Sequence, residues 1–256
     1  MIINDSFSDI IGSLKYHHEF YSSNLKNERD ILIWLPPSYE ASSKRYPVVY
    51  MHDGQNLFDP RTSYSGIAWD VDKTATQLIR EKKIEEIIVV GISNSKDRIE
   101  EYNLYSSKGI KYSSFLINEL KRFIDENYRT KEDPLNTCTI GSSMGGLFSF
   151  QLIMKYPYVF GKAACLSNSF WINRNRVFTE PKEKFLDNLK IYIDCGTSEN
   201  ELIFDNMKMA LILRNSGMEC GRNLYYHFEK GAEHSESYWA KRLHRPLTFF
   251  FGSSKE

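Results

Sequence analysis

The sequence has no excess of charge of either sign and no long apolar run. Lys+Arg and Asp+Glu each number 33 among the 256 residues, so the formal net charge is zero. Without a basic excess the chain lacks the electrostatic footprint of a nucleic-acid-binding protein, and we expect no nucleic-acid partner. No stretch approaches the roughly 18 consecutive apolar residues that a membrane-spanning helix needs, so we expect no membrane partner either.

Cysteine is also scarce, and the four cysteines stand singly, without a C-x-x-C pair: Cys138, Cys165, Cys195 and Cys220. A disulfide framework or a thiolate metal site would need paired or closely spaced cysteines. We therefore expect reduced core thiols, which are typical of the cytoplasm. Residues 1–11 have neither the basic start nor the apolar run of a secretory signal, and this also favours a cytoplasmic location.

What is present suits one large α/β domain. Hydrophobic residues make up 41% of the chain and charged residues 26%, and we expect a single domain over residues 1–256. Two apolar segments flank a polar turn and predict an antiparallel N-terminal hairpin. Beyond it, short apolar strands alternate with segments of helical periodicity, which predicts a mostly parallel central sheet with helices on both faces. The hairpin strands are predicted at 16–22 and 29–35, and the parallel strands at 48–51, 87–91, 137–140, 162–166, 191–195 and 224–228.

The most informative stretch follows the third of these parallel strands. Residues 141–145 read G-S-S-M-G and match the G-x-S-x-G pattern, and a helical segment follows and ends before Pro157. In this pattern the central serine, here Ser143, occupies a strained turn between a strand and a helix, which is why its neighbours must be small. The free N–H groups and positive dipole end of the helix then lie beside its hydroxyl. The pattern predicts Ser143 as a nucleophile.

A serine hydroxyl needs a base to take its proton, and for this motif the acid and then the histidine follow the serine along the chain. Three histidines follow Ser143. His227 lies inside an apolar strand, and His244 lies in the final helical segment beside Arg242 and Arg245, on a face that we expect to be solvated. His234 lies in a polar loop directly after the last strand, where it can reach across the sheet edge. We predict His234 as the base.

The acid should come from the loop after the preceding strand, and three carboxylates compete for the role. Glu199 lies just beyond the strand end and is the favoured candidate, although its charge could instead serve only the dipole of the following helix. Asp194 lies within the strand and remains an alternative. Asp205 lies one to two turns into the next helix and is expected to be too distant.

An oxyanion hole needs two N–H donors aimed at the developing charge. The backbone of Met144, the residue after the serine, is predicted to supply one, and Gln55 or Gly54, in the loop after the strand at 48–51, the other. His52 and Asp53 in the same loop could suggest a metal pair. Adjacent residues in an extended loop point apart, however, and no H-E-x-x-H spacing accompanies them, so we expect neither a metal nor a cofactor.

Five segments of the sequence resemble the putative esterase family of the α/β-hydrolase fold, which groups esterase D, enterochelin esterases and feruloyl esterases. The segments are residues 35–39 (LPPSY), 46–58 (YPVVYMHDGQNLF), 67–70 (IAWD), 101–102 (EY) and 141–146 (GSSMGG). The similarity spans about residues 14–250. It implies Ser143, Glu199 and His234 as a catalytic triad. The lipase-type H-G-G-G segment is absent, and Glu replaces the commoner Asp as the acid.

The resemblance implies hydrolysis of a small-molecule ester through an acyl-enzyme, for example a siderophore trilactone, a feruloyl or acetyl sugar, or a short-chain acyl ester. The loop expected at 93–111 and the long segment 169–189 would wall the pocket. Tyr102, Phe170 and Trp171 either contact an aromatic or sugar-like group of the substrate or belong to ordinary packing. Two alternatives stay open at this point. One is an acyltransferase that uses the same serine, and the other is a catalytically silent ligand-binding scaffold.

Overall fold

The computed structural model describes residues 10–181 and 187–252, and within these ranges eight strands form one sheet. Strands β1 and β2 form the antiparallel hairpin, β2 pairs antiparallel with β4, and all other neighbours are parallel. The sheet order is β1-β2-β4-β3-β5-β6-β7-β8. The prediction of a mostly parallel sheet with an N-terminal hairpin is confirmed. The strands are β1 (Ser13–Ser22), β2 (Asn27–Leu35), β3 (Val48–His52), β4 (Ile88–Ile92), β5 (Thr137–Ser142), β6 (Lys162–Leu166), β7 (Lys190–Gly196) and β8 (Leu224–Glu229).

Helices connect these strands and cover both faces of the sheet. In chain order they are α1 (Val71–Arg80), α2 (Arg98–Glu101), α3 (Ser107–Ser114), a π-helical stretch (Phe115–Lys121), α4 (Arg122–Asn127), α5 (Met144–Lys155), α6 (Arg174–Val177), α7 (Leu202–Asn215), α8 (Glu236–Arg242) and α9 (His244–Phe251). The closing helical segment is therefore two helices that meet at Leu243. Pro246 lies in the first turn of α9, where a helix tolerates proline because no N–H is needed there.

The expectation of a polar loop at 93–111 was wrong in part, and the long segment 169–189 also contains a short helix. The first segment contains α2 and the beginning of α3, and the second contains α6, while residues 182–186 lie outside the described ranges. α2 and α6 have four residues each and α3 has eight, so none repeats an apolar face long enough to show helical periodicity. Local hydrogen bonds mark their ends instead, as where Ser106 Oγ accepts from Gly109 N–H at 2.8 Å.

Side chains alternate between the two faces of the sheet, and each face buries its own apolar layer. One layer takes Val48 and Tyr50 of β3 and packs against α5 and α7. The other takes Val49 and Met51 of the same strand and packs against α1, α8 and α9. This period of two is what places helices on both faces. The parallel pairing of β3 to β8 puts the carboxyl ends of these six strands at one edge, where sites of such sheets form.

Cys138, Cys165 and Cys195 are buried and reduced, as expected, but Cys220 is reduced and exposed. The expectation of core thiols was therefore wrong for Cys220, which lies in a surface turn before β8 rather than in a strand. Within residues 10–181 and 187–252, no helix has the length and apolar character that crossing a membrane requires.

Candidate active site

Ser143 occupies a strained turn between β5 and α5. Its backbone has φ 56° and ψ −121°, a combination that is costly for a residue with a side chain. The turn brings strand and helix so close that a Cβ on Gly141 would lie 2.4 Å from the carbonyl carbon of Gly145. The two glycines of the motif thus permit the close approach, and the strained serine is presented at the first turn of α5.

Glu199 and His234 meet at the ends of the neighbouring strands. His234 Nδ1 lies 2.8 Å from Glu199 Oε2, and the carboxylate is fully buried while the His234 side chain is 35% exposed. Burial alone would raise the pKa of the Glu199 carboxyl, but hydrogen bonds from His234, Ser167 and the Gly196 N–H outweigh it and lower that pKa. The carboxylate therefore stays ionised beside the imidazole, and it orients Nε2 away from itself.

A second layer of polar side chains, Ser167, Trp239 and Arg242, holds Glu199 from behind. Ser167 Oγ donates to Glu199 Oε1 at 2.7 Å and accepts from Trp239 Nε1 at 2.8 Å and from Arg242 Nη2 at 3.0 Å. The Trp239 ring also meets the His234 ring edge-on, with centroids 4.9 Å apart. Sequence reasoning did not identify these three residues. No motif marks them, because they come from two separate elements that only the fold brings together.

Asp194, the alternative acid, points to Arg242 instead of His234. Its two oxygens accept from Arg242 at 3.0 and 3.1 Å and from the Tyr192 hydroxyl at 2.9 Å. The expectation of a solvated face beside His244 was therefore wrong for Arg242, which is buried. Asp205 lies in the first turn of α7, nearer the start of the helix than expected.

The other two candidate histidines lie elsewhere. His227 lies on the edge strand β8 and pairs with Glu229 at 2.7 Å. His244 is exposed at the start of α9, where its Nδ1 lies 2.9 Å from the carbonyl of Lys241. Of the three histidines that follow Ser143, the structure brings His234 to a candidate acid.

The Ser143 hydroxyl has a different partner in this conformation. Its Oγ lies 3.3 Å from Ser169 Oγ, and among the described residues it forms no hydrogen bond with His234. A continuous path of contacts nonetheless joins the two. The Ser143 N–H donates to the Leu166 carbonyl at 2.9 Å, and the next residue, Ser167, holds Glu199.

The predicted oxyanion donors are available. Within the residues that the structure describes, no group accepts a hydrogen bond from the N–H of Gly54, Gln55 or Met144. Gly54 begins a short 3-10 turn that lies against β4, and a Cβ there would be 2.6 Å from the Ile92 nitrogen. Only glycine fits this approach. The turn and the first turn of α5 thus offer free donors near Ser143.

An ion pair between Arg98 and Asp53, the residue directly before the 3-10 turn, stabilises that turn. Arg98 Nε and Nη2 donate to the two oxygens of Asp53, each at 2.7 Å, and Asn94 Nδ2 donates to Asp53 Oδ1 at 2.6 Å. Asp53 itself has φ 57°, and its N–H donates to the buried Tyr102 hydroxyl at 3.1 Å. A bidentate Arg–carboxylate pair fixes geometry as well as charge.

His52, which was considered for a metal pair with Asp53, is a core histidine. Its ring nitrogens lie 3.3 Å from the Tyr112 hydroxyl and 3.2 Å from Thr139 Oγ1. Burial lowers the pKa of His52 to about 4, so the ring is neutral near pH 7. Within the described ranges no group of three or more His, Cys, Asp or Glu side chains could hold a metal ion.

A pocket of about 480 Å³ opens beside Ser143. Most residues of its wall have a polar side chain; they are Asp53, Gln55, Asn56, Thr62, Tyr64, Asn94, Arg98, Ser142, Ser143, Glu236 and Trp239. A second pocket of about 470 Å³ is lined by Glu199, Asp205 and Trp171, among others.

Of the three aromatic residues expected to contact substrate, only Trp171 is accessible, with 56% of its surface exposed. Tyr102 and Phe170 are fully buried, so the expectation of substrate contact was wrong for both of them and the alternative of ordinary packing holds. Phe170 packs edge-on against Phe150 with centroids 5.2 Å apart. Each is an anchor of the core beneath the site rather than part of its wall.

Comparison with known proteins assigns the class. The family model described as "Putative esterase" matches residues 22–250, and the chain belongs to this family. A curated relative is 24% identical over 254 residues, covering 91% of this chain and 97% of its own length: the uncharacterized protein YbbA of Bacillus subtilis (strain 168). An endo-1,4-beta-xylanase/feruloyl esterase of Xylanibacter ruminicola is 26% identical over 189 residues, covering 71% of this chain and 24% of its own length.

Two solved structures share the fold. A ferulic acid esterase superposes with a TM-score of 0.76 at 20% identity, covering 93% of this chain and 98% of its own. The enterobactin esterase of Shigella flexneri, solved in the presence of enterobactin, superposes with a TM-score of 0.77 at 16% identity. The match covers 97% of this chain and 62% of that chain. With an esterase family model that matches residues 22–250, the protein is a carboxylic ester hydrolase of the α/β-hydrolase type.

Proposed function

We propose that the protein hydrolyses a small-molecule carboxylic ester through an acyl-enzyme formed on Ser143. The observation that carries this proposal is the 2.8 Å contact between Glu199 and His234, at the sheet edge where Ser143 occupies its strained turn. A buried carboxylate that fixes an imidazole is the arrangement that a serine nucleophile requires. The function needs neither a metal nor a cofactor.

In this mechanism the Ser143 hydroxyl leaves Ser169 and donates to His234 Nε2 as it attacks the ester carbonyl. Hydrogen bonds of this kind are often long or absent before substrate binds. The N–H of Met144 and that of Gln55 or Gly54 stabilise the oxyanion. His234 then protonates the leaving alcohol and activates the water that releases the acyl group.

The identity of the acyl and alcohol groups is the finer part of the proposal. A siderophore trilactone, a feruloyl or acetyl sugar and a short-chain acyl ester all present an ester carbonyl that this mechanism can attack. The accessible Trp171, near the second pocket, is the one expected aromatic contact that stays a candidate. A panel of these three ester types, compared by kcat/KM, ranks them directly.

A fluorophosphonate probe tests the nucleophile. We expect one probe per wild-type molecule, attached to Ser143, no labelling of Ser143→Ala, and labelling of His234→Ala that is at least about tenfold slower. Ser169→Ala is the matched control, because its hydroxyl lies 3.3 Å from Ser143 Oγ. That variant should still be labelled at Ser143. Labelling that persists in Ser143→Ala would refute the assignment, and labelling lost only in Ser169→Ala would transfer it to Ser169.

The same preparation distinguishes a hydrolase from an acyltransferase. We expect the free acid as the product from an ester substrate, with no change when an alcohol or a sugar is added. A new ester that grows with the concentration of the added alcohol would instead favour transfer.

A further inference from the structure

The pocket beside Ser143 carries three charged side chains, and two of them neutralise each other. Both oxygens of Asp53 are engaged by Arg98, at 2.7 Å each. Glu236, the first residue of α8, is the third. Among the described residues its carboxylate has no hydrogen-bond or ion-pair partner. The pocket wall therefore has one uncompensated negative charge.

Glu236 also acts on the ion pair itself. Burial alone would lower the pKa of the Arg98 guanidinium, but Asp53, and to smaller extents Tyr102 and Glu236, raise it above its usual value. The buried ionic cluster next to the site also has a negative sum of charges, because the single guanidinium of Arg242 faces two carboxylates, those of Asp194 and Glu199.

We propose that Glu236 sets the charge preference of this pocket, so that the enzyme takes esters whose group in the pocket is uncharged or cationic and discriminates against anionic ones. This inference rests on the proposed hydrolysis at Ser143. A carboxylate in a partly enclosed pocket repels an anion that enters it, and water screens this repulsion less than it would at an open surface.

The neutral side chains of the wall fit an uncharged, hydroxyl-bearing group. Gln55 Oε1 accepts from the Asn94 N–H at 3.2 Å, and Asn94 Nδ2 donates to Asp53. These contacts leave Gln55 Nε2 and Asn94 Oδ1 without partners among the described residues. One donor and one acceptor are thus available to a ligand hydroxyl.

Two matched pairs of esters test the proposal, since the charge could enter on either side of the scissile bond. One pair is p-nitrophenyl butyrate and the p-nitrophenyl monoester of glutarate, and the other is phenyl acetate and 4-carboxyphenyl acetate. We expect the wild type to prefer the uncharged member of at least one pair. Glu236→Gln should reduce that preference by about three- to tenfold, and Glu236→Lys should reduce it further or reverse it. The preference should also weaken as salt is added.

Glu233→Gln is the matched control, because Glu233 is exposed three positions before Glu236, its replacement removes the same charge, and it does not line the pocket. We expect it to keep the wild-type preference. If the wild type hydrolyses these esters but Glu236→Gln changes neither ratio more than Glu233→Gln does, the inference about Glu236 is wrong and the proposed function stands. If the wild type hydrolyses none of the four esters and takes no fluorophosphonate, the proposed function itself fails.

Discussion

The single proton of Ser167 is directed by its surroundings. A serine hydroxyl has one donor and two acceptor sites. Trp239 Nε1 and Arg242 Nη2 can only donate, and both donate to Ser167 Oγ. The hydroxyl proton must therefore point at Glu199 Oε1, 2.7 Å away. This arrangement orients Glu199, and through it His234, so Ser167 and Trp239 are positioning residues for the proposed triad.

Trp239→Phe tests this positioning, because it removes the N–H while retaining an aromatic ring beside His234. We expect kcat to fall by about three- to tenfold, with a smaller change in KM, since one neutral hydrogen bond of the array is lost. Trp69→Phe is the matched control. Trp69 packs against Trp239, and its buried Nε1 has no hydrogen-bond partner among the described residues. Equal losses of kcat in both variants, measured by steady-state kinetics, would mean that packing and not the hydrogen bond matters.

At the scale of single residues, the sequence predicted best the residues whose place a motif or chain order determines. It predicted least well the residues whose contacts depend on burial in the folded protein. Ser143, Glu199 and His234 each follow a strand in the required order, and the fold does bring Glu199 to His234. The sequence could not show that Asp194 lies outside the triad or that Arg242 is buried. Both facts follow from the ion pair between these two residues, which only the fold brings together. Whether Ser143 acts as the nucleophile stays a prediction.

At the scale of elements, strands were predicted better than short helices. The parallel strands β3 to β7 are short and almost entirely buried, and their apolar residues make such strands visible in sequence. α2 and α3 form in a polar segment, where tertiary contacts decide the conformation. One such contact is the ion pair between the fully buried Glu101 at the end of α2 and Arg29 of β2, in which Arg29 Nη2 lies 2.9 Å from Glu101 Oε1. The two residues of this ion pair are more than 70 positions apart in the chain, so no local sequence pattern predicts it.

The junction of β5 and α5 should tolerate almost no added volume at Gly141. A Cβ there would lie 2.4 Å from backbone atoms, so strand and helix would have to separate, and we expect Gly141→Ala to cost about 3 kcal/mol or more of unfolding free energy. At Gly145 the nearest atom is His52 Cβ at 3.2 Å, and we expect a cost of only about 1 kcal/mol. Urea unfolding measures both.

Gly66→Ala separates crowding from backbone strain in that experiment. Gly66 has φ +74°, and a Cβ at this position would have no atom within 4 Å of it. Its substitution should cost about 1–2 kcal/mol through the left-handed conformation alone. A Gly141→Ala variant no less stable than Gly66→Ala would contradict the close packing of β5 on α5.

At the scale of the whole molecule, the sheet separates two apolar layers, and the candidate site lies at the edge where six parallel strands end. The alternation of strands and helices was enough to predict this arrangement. It was not enough to predict the aromatic cluster of Tyr102, Tyr112 and Phe148 around His52, because these rings come from three elements. That one domain spans all 256 residues stays a prediction.

His52 links this cluster to the acid stability of the protein. Burial lowers its pKa in the folded state to about 4 from an ordinary value of 6.5. Between about pH 6.5 and pH 4 the His52 ring therefore binds a proton in the unfolded chain but not in the folded one. The contribution of His52 lowers the unfolding free energy as the pH falls through this range, and it changes little more below pH 4. The shift corresponds to roughly 3 kcal/mol over this range.

Replacement of His52 by Gln should remove this part of the pH dependence. Wild type and variant are compared by urea unfolding at pH 7 and pH 4.5, and we expect the fall in unfolding free energy to be smaller in the variant by about 2 kcal/mol. The variant should be less stable at pH 7, since it loses the packing of the ring, so the slope and not the absolute value carries the argument. His244→Gln is the control, because His244 is exposed at the surface, and it should keep the wild-type slope. A wild-type slope in His52→Gln would assign the acid sensitivity to buried carboxylates such as Glu199, whose lowered pKa adds stability that is lost at lower pH.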